Sequence, residues 1–270
     1  MVRERHHNNA EHRTELARAI NNMDWLEIAR GNVPGFSTTV IRGHNPSQTS
    51  ASGYVTIAEM GSVTYLTTAE TMNISSDNAA DDTGGVGLIT VLVQGVDNTG
   101  AAVQEVVTLN GTADVLTTNS YLRVNNMVGL TVGSTEVNVG VITATASSAA
   151  TIQDEMNAGE GISQSSTYTV PLGFTFYVTK IELNCAKITG GASPEVEFTG
   201  QARSGGAGNC WIQLFDKRLD TGIVDELDVI LSFPAPAPER SDIRVRANVS
   251  TDSTETRSRM YGILVDDLAT

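Results

Sequence analysis

Two cysteines in 270 residues, Cys185 and Cys210, are too few for a disulfide framework or a CxxC metal knuckle. Each lies in an apolar, strand-like run, so a pair of buried thiols is expected, with one bridge as the other possibility. No apolar run approaches the roughly 20 residues that cross a bilayer, and the opening MVRERHHNN lacks the apolar stretch of a cleavable signal peptide. Folding in a cytoplasm with no membrane partner is therefore expected. Aromatics make up only 5% of the chain and hydrophobic residues 40%, the balance being rich in Thr, Ser, Asn and Gly. That composition suits short strands joined by turns rather than a helical enzyme. Bases are nearly missing from the middle. Residues 1–44 carry six Arg against five acids, residues 45–179 only Arg123 against twelve acids, and the remainder ten bases against fourteen acids, within a net charge of −14. So acidic a chain repels phosphate backbones, and nucleic acid is not an expected partner except through the N-terminal segment. There is no G-x-S-x-G elbow, no P-loop and no dinucleotide fingerprint; Gly84-Gly85-Val86-Gly87 leads into a strand, not a helix.

What is present is β pattern, most clearly from Val86 to Gly111. Two runs rich in β-branched residues flank Asp97-Asn98-Thr99-Gly100, where Gly100 can take a positive φ and close a bulged hairpin loop. On the first arm Ile89, Val91 and Val93 share one face and Leu88, Leu92 and Val96 the other, which predicts burial on both faces. The second arm alternates apolar with polar and is expected nearer an edge.

Further strands are predicted at 53–58, 62–66, 70–75, 112–117, 121–131 and 137–145, a spacing that indicates a sandwich or jelly roll. Ala146 to Ala150 is a small-residue stretch and the expected boundary. Beyond it, strands are predicted at 162–171, 174–185, 194–202, 209–216, 226–233, 242–249 and 257–266. In FTFYVTKIELN the buried face changes side near Lys180, which predicts a bulge there. Pro234-Ala235-Pro236-Ala237-Pro238 reads as a stiff connector that cannot lie in a central strand.

Before this β region lies an arm. Residues 10–22 carry helix formers with Leu16, Ile20 and Met23 on one stripe, and Asp24-Trp25-Leu26-Glu27 has capping-box form ahead of a second short helix ending at Gly31. Residues 31–52 read as extended, with one short strand at 37–42 and then a turn at His44-Asn45-Pro46. The arm either docks on another subunit, with Leu16, Ile20, Met23, Trp25 and Ile28 as anchors, or packs back on its own body; stripe width does not decide. The whole is thus expected to be all-β: a helical and extended arm over 1–52, a first β-sandwich over 53–150 and a second, jelly-roll-like one over 151–270.

Candidate chemistry is thin. Asp81-Asp82, Asp154-Glu155 and Asp225-Glu226-Leu227-Asp228 read as solvated turns, since adjacent carboxylates do not define a cleft. Asp77, Asn78, Asp81 and Asp82 offer oxygens to Ca²⁺ but lack the alternation and distal Glu of an EF-hand loop. His6, His7, His12 and His44 all lie in the arm, with no helical i, i+4 pair and no cysteine partner. No catalytic residue, cofactor or functional metal is expected, and Trp25 and Trp211 are expected to serve core or docking contacts.

The motifs Gly31-Asn32-Val33-Pro34-Gly35, Gly43-His44-Asn45-Pro46, Ala51-Ser52-Gly53-Tyr54, Val107-Thr108-Leu109-Asn110-Gly111-Thr112, Tyr121-Leu122-Arg123-Val124, Tyr168-Thr169-Val170-Pro171-Leu172-Gly173 and Ser241-Asp242-Ile243-Arg244-Val245-Arg246-Ala247 carry a resemblance over nearly the whole chain. The sequence resembles the two-domain virion structural proteins encoded in tailed-bacteriophage morphogenesis modules. Where those commonly read Lys-Phe-Gly-Arg-Asn-Pro, this chain has Ile41-Arg42-Gly43-His44-Asn45-Pro46. The resemblance implies a non-enzymatic virion component, either a capsid decoration or cement protein or an accessory protein at the head–tail junction. It implies other virion proteins, capsid, portal or tail subunits, and further copies of itself as partners. A tail-associated fibre or receptor-binding module contacting host glycan is the alternative.

Overall fold

The computed structural model describes residues 24–189, 193–205, 209–220 and 226–268. The protein is nearly all β, with 59% strand and 3% helix arranged in several antiparallel sheets. No helix among the described residues is long and apolar enough to cross a membrane.

The chain opens with helix α1 (Asp24–Ala29), closed by Gly31 at φ 75°, and continues into β1 (Phe36–Gln48). A 3-10 turn at Ser50–Ser52 and the short β2 (Val55–Thr56) follow. The next group is β3 (Glu70–Ser76), β4 (Leu88–Val96), β5 (Ala102–Thr108), β6 (Val115–Tyr121), β7 (Arg123–Val132), β8 (Ile142–Ala146) and β9 (Ile152–Met156). The last is β10 (Thr167–Thr169), β11 (Phe174–Lys187), β12 (Glu195–Arg203), β13 (Ile212–Asp220), β14 (Glu226–Ala237), β15 (Asp242–Val249) and β16 (Thr254–Asp266).

Two hydrophobic cores result. One, holding Met72, Ile74, Val91, Val93, Tyr121, Met127, Ile142 and Met156, draws on the sheets β6-β3-β8-β9 and β5-β4-β7. The other holds Phe176, Ile181, Leu183, Val196, Phe198, Ile243 and Val245 and draws on β1-β16-β11-β14 and β10-β15-β12-β13, with β2 paired to β15. Period-two patterning produces these faces: in β15, Ile243, Val245, Ala247 and Val249 are buried while Arg244, Arg246 and Asn248 alternate with them. Within the second unit, β1 pairs β16, β10 pairs β15, β11 pairs β14 and β12 pairs β13, all antiparallel. The first strand in sequence thus pairs the last, and each pair nests inside the previous one.

The hairpin forms as its turn residues dictate: β4 and β5 pair from Thr90–Thr108 to Val96–Ala102, and Gly100 has φ 85°. β4 is central and β5 an edge. Both sets of the first arm contribute buried side chains, Val91 and Val93 from one and Leu88 and Val96 from the other, while Ile89 and Leu92 are partly exposed. The bulge at Lys180 is present; register with both neighbouring strands slips between Val178 and Lys180.

Several expectations are corrected. Residues 36–48 are no detached arm; they form a 13-residue strand paired along β16, through His44 and Asn45 where a turn was expected. Hydrogen bonding to β16 outweighs the local turn preference of Asn45-Pro46. Ala146 to Ala150 is the turn of the β8–β9 hairpin, with Ala150 at φ 51°, so the chain leaves the first core only over 157–166, after β9 has placed Met156 in it. Residues 62–66 form no strand. Pro236 lies within β14 opposite Tyr177, which is tolerated because β14 is an edge strand and needs no further donor. The thiols form no disulfide; Cys185 is buried but Cys210 is exposed.

Candidate functional site

The most unusual chemistry lies where the chain passes from one unit to the other and back. The outgoing segment after β2 and the returning segment before β10 run side by side, joined by an antiparallel bridge between Ala58 and Ser165. Glu59 sits on the first and Glu160 on the second, and both meet His44 of β1. His44 Nδ1 is 3.6 Å from Glu59 Oε1 and 3.6 Å from Glu160 Oε1. His44 is held inward because β1 is clamped against β16 and because Gly43, its neighbour, lies against Ser166 and Ile57.

On the other side of the ring, Nε2 is 3.0 Å from Glu255 Oε1 on β16. An ionised carboxylate only accepts, so Nε2 carries the hydrogen and donates it to Glu255. Arg257 Nε donates to the same oxygen at 2.6 Å. Each remaining carboxylate is also positioned. Glu59 accepts from Asn157 Nδ2 at 3.0 Å, Asn157 N at 3.1 Å and Gln164 N at 3.3 Å, and Glu160 accepts from Gln164 Nε2. Burial and the Glu59 charge raise the Glu160 carboxyl above its usual range, while His44 and Arg257 pull the other way.

Close by, Asp154 of β9 is fully enclosed and Ser163 Oγ donates to it at 2.5 Å. Burial pushes its carboxyl up to about 7 against that hydrogen bond. Asp154 therefore lies inside a strand rather than on a solvated turn. Asp228 is on β14 and pairs with Lys180 at 3.0 Å; Asp225 lies outside the described residues.

A second polar cluster joins the units. Asp242 of β15 receives Arg123 of β7 (Nε to Oδ1, 3.3 Å), Arg203 (Nε to Oδ2, 2.8 Å) and Thr169 Oγ1 (2.6 Å). Arg123 and Arg203 lie over the half-buried Tyr65 ring at 4.8 and 4.5 Å, and Arg203 and Arg244 over Trp211 at 4.5 and 3.7 Å. Burial, then the Asp242 charge, pushes the Tyr65 hydroxyl up to about 12. Asn125 adds a paired link, donating to Thr169 O and accepting from Thr169 N, each at 2.9 Å. Between the units opens a cleft of about 510 Å³, lined among others by Arg42, Gln94, Gln104, Asn126 and Tyr168.

The loop read as a calcium candidate is otherwise employed. Asp81 accepts from Leu88 N, Val139 N, Gly140 N and Ser76 Oγ at 2.6 to 2.9 Å, which saturates both oxygens. Asp77 accepts from Val141 N, Asn78 from Ala80 N and Asp82 from Thr83 N. The loop is a hydrogen-bonded knot that spaces β3 from β4.

Of the expected docking residues, Leu16, Ile20 and Met23 and the side chain of Trp25 lie outside the described residues, as do His6, His7 and His12. Ile28 is buried, on a helix packed against the chain's own β1, whereas Leu26 is 52% exposed. Glu27 turns forward to Asn32 Nδ2 (2.6 Å) and Arg30 (3.0 Å) instead of closing the capping box. The sequence brings no attention to Glu59, Glu160 and Glu255: nothing in their spacing from His44 is periodic, and only β1–β16 pairing and the two side-by-side crossing segments unite them. Comparison with protein-family models, with curated proteins and with solved structures finds no match.

Proposed function

We propose that this chain is a non-enzymatic structural component of a tailed-bacteriophage virion, a capsid decoration or cement protein or an accessory protein at the head–tail junction. One observation carries the reading: the strand order of the second unit. Counted within that unit, leaving β2 aside, the sheets run 1-8-3-6 and 2-7-4-5, the order of an antiparallel ribbon rolled over one core. We read it as a jelly roll, an architecture shared by viral capsid and lectin domains, and the β3–β9 unit as a second sandwich domain inserted after its opening strands. A fold alone carries no function; the virion context rests on the sequence resemblance.

Assembly fits the surface. Among the described residues outside the C-terminal tail, the most exposed large apolar side chains are Ile230 on β14, Ile212 on β13, Leu116 on β6 and Val106 on β5, and all four strands are sheet edges. Edges that carry apolar residues are natural pairing surfaces for neighbouring subunits. In this reading Ile28 fixes α1 to its own body and Leu26, with Leu16, Ile20, Met23 and Trp25, serves the neighbour. Burying one such side chain is worth about 1.5–3 kcal/mol, enough for adhesion when many copies bind a repeating lattice.

Electron cryomicroscopy of intact particles tests the proposal. Hundreds of copies correspond to decoration and six or twelve to the head–tail junction; absence from purified particles overturns it. Deleting residues 1–30 is expected to abolish incorporation, and normal occupancy removes the docking role. The glycan-binding alternative draws on the same architecture. It predicts glycan-array binding by the full chain that is lost in Trp211→Ala, although two guanidinium groups already occupy that ring.

A further inference from the structure

We infer that His44, Glu59 and Glu160 form a divalent metal site, with Zn²⁺ the best fit, that ties the inserted unit to the jelly-roll-like one. The inference rests on the cluster geometry and stands whether or not the protein belongs to a virion.

The first support is an unpartnered nitrogen. His44 Nδ1 is buried without a hydrogen-bond partner, and its side chain is only 8% exposed. With the Nε2 hydrogen given to Glu255, Nδ1 presents a lone pair, and what it faces are two carboxylate oxygens. With His44 neutral, three acceptors point at one another in a mostly buried site and repel unless a cation sits between them; a second proton on the imidazole is the competing resolution that the test below separates.

The spacing suits such an ion. The three donor atoms all lie within 4.8 Å of one another, and both His–carboxylate separations are 3.6 Å. Tetrahedral zinc with ligands near 2.0–2.2 Å needs donors about 3.3–3.6 Å apart, so a small inward movement of the two carboxylates completes the set. Imidazole with carboxylates favours zinc over Mg²⁺ or Ca²⁺, which prefer all-oxygen shells. Glu160 is the most exposed of the three, with its side chain 26% accessible, and leaves room for water at the remaining position.

The surrounding groups form the outer shell that a metal site requires. Glu255 holds the far nitrogen of His44, fixing tautomer and ring orientation as in carboxylate–histidine–metal relays. Asn157 and the Gln164 backbone hold Glu59, and the Gln164 side chain holds Glu160. The ligands come from β1, the outgoing segment and the returning segment. One ion would therefore pin both chain crossings to the strand pair β1–β16.

The test uses the full chain, stripped with a chelator and titrated with ZnCl₂ by calorimetry, with thermal unfolding in parallel. One Zn²⁺ per chain and a raised Tm are expected. Glu160→Gln, at a partly exposed position that leaves the fold intact, is expected to weaken binding by at least about tenfold, and Glu255→Gln by about 10–100-fold. The triple variant His6→Gln, His7→Gln, His12→Gln is expected to keep the site. Loss of binding in that triple variant, with Glu160→Gln unaffected, would assign the zinc to the N-terminal histidines and overturn the proposal. So would ¹⁵N NMR of the full chain with Zn²⁺ added showing His44 doubly protonated, an imidazolium paired to both carboxylates.

Discussion

At the scale of single residues, stability rests on a few buried acids that do opposite things. At Asp81 four donors converge, so removing it strands several buried N–H groups at once. Asp81→Ala is expected to cost more than about 3 kcal/mol in urea unfolding, with the β3–β4 connection the first region to lose amide protection. Asp154 is the reverse case. It has one hydroxyl donor and an Oδ1 without a partner, and burial raises its carboxyl from an ordinary 3.8 to about 7. The folded protein then holds a proton that the unfolded chain releases near pH 4. Stability from this group is full below pH 4, falls as pH rises toward 7 and is flat above it. Measured with a chelator present, the stability gain of Asp154→Asn over the parent is expected to be near zero at pH 4 and to grow to at most about 4 kcal/mol by pH 8. A gain independent of pH would show that Asp154 is ionised throughout. In the sequence both acids appeared as members of acidic pairs, Asp81 also as a calcium candidate; whether a carboxylate meets donors or an apolar wall depends on strands far away in the chain.

At the scale of elements, β1 matters most, and its sequence revealed only the stretch 37–42 of it. Gly43-His44-Asn45-Pro46 has local turn chemistry, yet β16 supplies a partner strand in register from Phe36–Val265 through Asn45–Thr256. Gly43 is required for close approach: a Cβ there would lie 2.5 Å from Ser166 Cβ and 2.6 Å from Ile57 O. Gly43→Ala is expected to destabilise by about 1–3 kcal/mol through overpacking and to displace His44, weakening any Zn²⁺ binding in the same titration. Unchanged stability and binding would mean that the crossing segments yield freely. By contrast, the β4–β5 hairpin and the bulge at Lys180 were legible, because turn residues and a switch in alternation are local signals, whereas the Pro-rich stretch read as a connector and lies in the edge strand β14.

At the scale of the whole molecule, the two cores are not successive beads. The second takes β1 and β2 from before the first core and the rest from after it, so β3–β9 is inserted. The interface between the units is polar, built from Arg123–Asp242, Asn125–Thr169 and Leu172 N donating to Gly100 O at 2.7 Å. A fragment of residues 151–270 lacks β1 and leaves the β16 edge bare, so it is expected to aggregate or stay unfolded, whereas 24–270 is expected to unfold cooperatively. Circular dichroism and gel filtration of both distinguish these outcomes; a soluble, cooperatively folded 151–270 would show that β1 is dispensable.

By itself, the sequence determined the strand character of the chain, its tightest hairpin, its bulge and its acidic surface, all of which follow from alternation, turn chemistry and charge read over a few neighbouring residues. Tertiary structure alone decided that the first strand pairs with the last, that Asp81 is saturated while Asp154 is not, and that His44 meets Glu59, Glu160 and Glu255. The reason is physical. The entropy of closing a loop grows only with the logarithm of its length, so a contact across two hundred residues is nearly as accessible as one across fifty and leaves no mark on local composition.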